Sequence, residues 1–306
     1  MLKTITATEI KSNRGSLLIA AWTVTLLISL LPDILFRELT GALPAWLFWA
    51  KVALIAAALL ISLIWSELRE LRLFFAALLA IFLLGWGVDW VYQSLSYSGW
   101  FAGQRAFLQD MFTVQIPRLT TALLLVLIML ILTRRFDRFF LVKGNLNAEA
   151  APIPLITSKP TTWRVLGPAI AGAMCLGLLV FIFVFGSPPH LTSIKRVLPL
   201  LPFILLFAAS NAFGEEMLYR APWLGVLEAP VGAAQALLIT AVNFGIAHFY
   251  GVPYGVLGVV MAFIPGWLMG KAILETRGLF WAWFIHFCMD IVVFFFIALG
   301  SVTPGG

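Results

Sequence analysis

The chain has 306 residues, 62% of them hydrophobic and 11% charged, with a formal net charge of +6. A soluble domain carries about 25% charged residues, so a water-facing fold would leave this core uncovered, and the mean hydropathy of +1.01 agrees. Composition thus excludes an ordinary soluble enzyme. With no basic stripe interleaved with exposed aromatics, it also excludes a nucleic-acid binder. What remains is an all-α, polytopic transmembrane helix bundle whose helices satisfy their own backbone hydrogen bonds in the bilayer.

A spanning helix needs about 20 apolar residues. That ruler marks runs near 16–36, 43–65, 72–92, 117–133, 165–186, 197–225, 231–250, 254–274 and 279–299, which predicts about 8–9 membrane helices. Lys3, Lys11 and Arg14 precede the first run. Pro32 and Asp33 follow it in place of a small-residue cleavage site, so it reads as a retained helix and not as a signal peptide. Asp89 closes the third run among Trp86, Trp90, Tyr92, Tyr97 and Trp100, the setting of an interfacial aromatic belt. The stretch 134–164 differs in kind: it holds Arg134, Arg135, Arg138, Lys143, Lys159 and Arg164 with Pro152, Pro154 and Pro160. It reads as a basic cytoplasmic linker between a four-helix N-terminal region (1–133) and a five-helix C-terminal membrane domain (165–306). Counting outward places the N-terminus and the loop Glu67–Arg72 in the cytoplasm, and an odd helix count places the C-terminus outside. Cys175 and Cys288 lie inside apolar runs and read as buried thiols. His190, in a Pro-Pro-His loop, reads as a surface residue.

Ionisable residues inside membrane helices cost roughly 2.5–3.5 kcal/mol each at the centre, so clusters of them need a reason. Three occur in the C-terminal half. In Gly214-Glu215-Glu216-Met217-Leu218-Tyr219-Arg220, helical spacing puts Glu216 and Arg220 on one face as an i,i+4 pair. Glu215 lies about 100° round the helix, without that cation. A buried carboxylate lacking its own cation suits a general base. Next, Asn243, Phe244 and His248 close an apolar helix. Third, His286 and Asp290 share a face one turn apart, where Asp290 can orient the imidazole. Three polar clusters on three helices predict one polar pocket.

The ordered set Glu-Glu-x-x-x-Arg, Phe-x-x-x-His and His-x-x-x-Asn/Asp resembles the CPBP family, which comprises CAAX prenyl proteases of the Rce type and the bacteriocin-processing enzymes also called Abi proteins. The resemblance covers roughly 195–299. The segment Gly266–Gly278, ending Glu275-Thr276-Arg277-Gly278, also looks like the stretch before the family's last motif. It implies a membrane-embedded, glutamate-type endopeptidase, from a family once taken for metalloproteases. Glu215, helped by His248, would activate a water, and His286 with Asp290 would stabilise the oxyanion. Glu216, Arg220 and Phe244 would support the site. No metal or other cofactor is implied. Asp290 departs from the commoner Asn; an amide donates to an oxyanion, whereas a carboxylate must be protonated or must serve to orient His286, the expected role here. The expected partners are the lipid bilayer and a membrane-associated peptide or protein substrate, and the expected location is the bacterial inner (plasma) membrane. Two alternatives stand beside this reading. One is a zinc-dependent membrane protease, although His-Glu-x-x-His is absent. The other is a non-catalytic membrane scaffold or chaperone of the same family. Strict alternation of spans also puts Glu215 and His248 at opposite membrane faces. A shared site therefore requires a shifted or broken run, expected at Ala221-Pro222 or Gly251-Val252-Pro253.

Overall fold

The computed structural model describes residues 7–153, 159, 161–185 and 191–302; His190, Pro154 and Pro160 lie outside them. The protein is a bundle of helices: α1 (Ala7–Ile28), α2 (Leu31–Thr40), α3 (Trp46–Ile64), α4 (Arg72–Ser94), α5 (Ala106–Thr133), α6 (Trp163–Phe185), α7 (Leu191–Val197), α8 (Leu201–Tyr219), α9 (Ala221–Val231), α10 (Ala233–Ala247), α11 (Val256–Thr276) and α12 (Phe280–Val302). Among the described residues, 7 helical stretches are long and apolar enough to cross a membrane; α1 and α2, bent by 43° relative to each other, bring the total to 8 if taken as one span. The chain is an integral membrane protein.

Two sequence runs fold otherwise than their length predicts. The run 231–250 forms only the 15 residues of α10, about 22 Å long against a hydrocarbon core of about 30 Å. Gly232, at φ +87°, starts it, and the Gly251–Gly255 turn follows it. α10 is therefore a shorter apolar helix than a span needs, and strict alternation of spans does not apply to it. The run 197–225 breaks at Arg220 (φ −136°, ψ −68°). Pro222 follows within the first turn of α9 and lacks the N–H that would bond to Leu218 O; Trp223 Nε1 donates to that carbonyl instead, at 3.0 Å.

The linker is ordered where it meets the helices. Leu279 N–H donates to Val142 O at 2.8 Å and Asn145 N–H to Thr276 O at 2.8 Å, while Trp281 Nε1 donates to Leu146 O. Glu149–Ala150 and Thr161–Thr162 form a two-residue antiparallel ladder. These contacts strap the linker across the α11–α12 turn and place that turn on the linker side. A large core cluster runs from Leu17 through Phe74, Met129, Trp163 and Leu224 to Ile285; a second, around Phe107, Phe207 and Phe294, joins α5, α8 and α12. Cys175 and Cys288 are free thiols, each half-buried.

Candidate active site

α8 and α12 run side by side, and their polar residues face one another. Glu216 and Arg220 are both fully buried and form the i,i+4 ion pair. The guanidinium carbon of Arg220 lies 4.4 Å from the Phe244 ring centroid. Among the described residues its Nε and Nη2, like Glu216 Oε2, have no hydrogen-bond partner, and the π-face of Phe244 is what the rest of that cation meets. Space for it is left by α11. A Cβ on Gly266 would stand 3.0 Å from Phe244 Cδ1 and 3.6 Å from Arg220 Nη2, and one on Gly270 would stand 2.5 Å from Leu237.

His286 is held by Glu216: Nδ1 lies 2.8 Å from Glu216 Oε1. A carboxylate only accepts, so Nδ1 donates. Nε2 then points between Glu215 Oε2 at 3.5 Å and Asp290 Oδ2 at 3.8 Å. Of the two carboxylates, Glu216 Oε1 reaches hydrogen-bond distance of His286, whereas Asp290, expected to orient the ring, stands farther off. Asp290 instead accepts from Asn211 Nδ2 at 3.0 Å.

Glu215 also differs from expectation, because it has a cation of its own. Arg118, on α5, donates from Nη1 to Glu215 Oε1 at 2.9 Å and to Asn211 Oδ1. Gln115 Nε2 donates to the same Asn211 oxygen at 3.0 Å. Arg118, Gln115 and Asn211 were not singled out in the sequence. The signals were there: Asn211 precedes Glu215 by one turn, and Gln115 and Arg118 share a face of α5. The apolar run counted from 117 onward cut that face in two.

His248 caps α10 and is partly exposed. Its Nδ1 lies 2.8 Å from the carbonyl of Phe244, which can only accept, so in the neutral ring Nδ1 carries the proton and Nε2 is the basic nitrogen. The Phe244 ring stands between the two histidines, with centroids 4.5 Å from His248 and 6.1 Å from His286. Glu215, Glu216, Arg220, His286 and Asp290 thus form one contact network with Phe244 on its edge, and His248 joins it across that ring.

Beside this network lies a cavity of about 650 Å³. Arg118, Tyr219, Asn243 and Ala247 form its wall toward the network; Asp33, Lys51 and Asp89 line it from the N-terminal helices. Asp89 thus faces a cavity, while Tyr97 packs edge-on against Tyr92 and Trp100. Lys51 is buried, pairs with Asp33 and donates to Ser29 O.

Residues 197–292 match the family profile described as type II CAAX prenyl endopeptidase, Rce1-like. The segment is Rce1-like. It spans α8 to most of α12 and carries all three motifs through which the sequence resembles the CPBP family. No curated protein and no solved structure matches the chain. Among the described residues no three of His, Cys, Asp and Glu are disposed to hold a metal ion, and Glu215 and Glu216 are each engaged by a guanidinium group.

Proposed function

We propose that the protein is a membrane-embedded endopeptidase that hydrolyses a peptide bond in a membrane-associated substrate. The observation that carries this reading is the convergence of Glu215, Glu216, His286 and Asp290 beside a cavity, within a segment that matches a prenyl endopeptidase family. Isolated ionisable groups are expensive inside a membrane, and a scaffold has no need of four together.

In this mechanism Glu215 takes a proton from a water, whose oxygen attacks the scissile carbonyl. His248, with Nε2 free to accept, assists. Glu216 orients His286, and Arg220 holds Glu216. No metal takes part. The substrate reaches the site from the bilayer. The protein sits in a bacterial plasma membrane with its N-terminus and its basic linker in the cytoplasm.

The test is cleavage by purified protein in liposomes of a panel of quenched fluorescent peptides, some ending in a prenylated cysteine followed by three residues, others unprenylated. Glu215→Gln and His248→Ala each lower the rate by about 10²–10⁴-fold, the usual range for general acid–base groups, while both variants insert and fold. Cleavage at the normal rate by both variants, or no cleavage of any peptide by the wild type, sinks the reading. Retention of activity in chelator separates it from a zinc protease.

A further inference from the structure

The network contains two cations, and they are placed very differently. Arg220 is fully buried, ion-paired with Glu216 and covered by Phe244. Arg118 comes from outside the Rce1-like segment, 97 residues before Glu215. Its side chain is 34% exposed and forms part of the cavity wall, which Glu215, His286 and Asp290 do not. Among the described residues both of its hydrogen bonds to protein leave from Nη1; Nε and Nη2 have no protein acceptor. A peptide entering from the cavity therefore meets Arg118 before any other ionisable group of the network.

Charge points the same way. Hydrolysis of a peptide bond places negative charge on the carbonyl oxygen in the transition state, and fixed donors aimed at that oxygen lower the barrier most. His286 Nε2 stands between the carboxylates of Glu215 and Asp290, with Glu216 behind it. Three carboxylates oppose an anion at that nitrogen. The guanidinium of Arg118 is a permanent cation with a rigid fork of donors.

We infer that Arg118 is a catalytic residue of this hydrolysis: Nη1 holds Glu215, and the open side of the same guanidinium binds the scissile carbonyl oxygen. The inference rests on the peptidase reading. Glu215 takes a proton from water, and the hydroxide adds to the carbonyl carbon. The carbonyl π-electrons move onto oxygen, where Arg118 receives the charge. When the tetrahedral species collapses, the C–N bond breaks and the leaving amine takes the proton back from Glu215. The N-terminal helices are then part of the catalytic unit.

The experiment compares Arg118→Gln, Arg118→Lys and Glu215→Gln in liposomes, with the best-cleaved reporter peptide and its phosphonate analogue, in which a tetrahedral anion replaces the scissile amide. Arg118→Gln is expected to lower kcat by about 10²–10³-fold, as for loss of an oxyanion donor, with little change in KM. Phosphonate affinity should fall in step with kcat/KM while affinity for the uncleaved parent peptide holds. Arg118→Lys should retain an intermediate rate, and added guanidinium ion should raise the rate of Arg118→Gln. Wild-type kcat in Arg118→Gln with an inactive Glu215→Gln overturns the inference and leaves the peptidase reading standing. An active Glu215→Gln removes both. An inactive Arg118→Gln that guanidinium does not rescue, with an unchanged ratio of phosphonate to peptide affinity, reduces Arg118 to a structural role and overturns the inference.

Discussion

The Rce1-like segment and the helices around it use the membrane in opposite ways. In α11, 50% of the most apolar window is buried inside the protein, against 22% in α3 and 11% in α6. Inner helices turn polar groups toward one another, so Glu216 meets Arg220 and His286, and Asp290 meets Asn211. Outer helices turn Leu127, Ile131, Val180 and Phe183 outward, where lipid replaces protein. The exception is instructive. α5 is as outward-facing as α3, with 22% of its window buried, yet one stripe of it supplies Gln115 and Arg118 to the network. Membership in the inner layer belongs to a face, not to a whole helix.

The comparison can be broken by measuring what each layer contributes. The largest loss of stability is expected from Arg220→Ala, which leaves Glu216 buried without its arginine and with only the His286 contact, at about 3–5 kcal/mol in denaturant unfolding from detergent micelles. A cost under 1 kcal/mol would mean that the inner network is already hydrated. Lys51→Ala removes the corresponding pair of the N-terminal helices. That pair faces a cavity, so its loss should cost less, about 1.5–3 kcal/mol; equality with Arg220→Ala would erase the distinction between layers. Within α6 a single helix carries both behaviours. A Cβ on Gly167 would stand 2.3 Å from the Trp281 ring, so Gly167→Ala should destabilise by about 1–3 kcal/mol through overpacking. Gly172 and Gly177 have nothing within 4 Å, and alanine there should change stability by less than about 0.5 kcal/mol or raise it slightly. Thermal unfolding of the three variants side by side tests whether the inward and outward faces of α6 differ as described.

Much of the site was legible because it is local. The spacing of Glu216 and Arg220, and of His286 and Asp290, is a property of one helix turn, and the structure places each pair on one face. What brings helices together was less legible. The pairing of Glu215 with Arg118 joins two chain segments for which a hydropathy scan has no term, and Lys51, alone in an apolar run, gave no hint of Asp33 across the α1–α2 bend. The number of spans was readable to within one or two. The excess came from the run 231–250, whose apolar length hides a helix cut short by Gly232 and the Gly251–Gly255 turn.

The strap of the linker across the α11–α12 turn has a consequence for the order of synthesis. His286 and Asp290 leave the ribosome after every other member of the network, and until α12 inserts, Glu216 has Arg220 alone for company. Val142 and Asn145, translated long before, are the backbone positions onto which the α11–α12 turn docks. The half-made chain thus carries a waiting cradle and an incomplete set of reactive groups. A chain halted before its twelfth helix therefore holds the docking positions without the completed network.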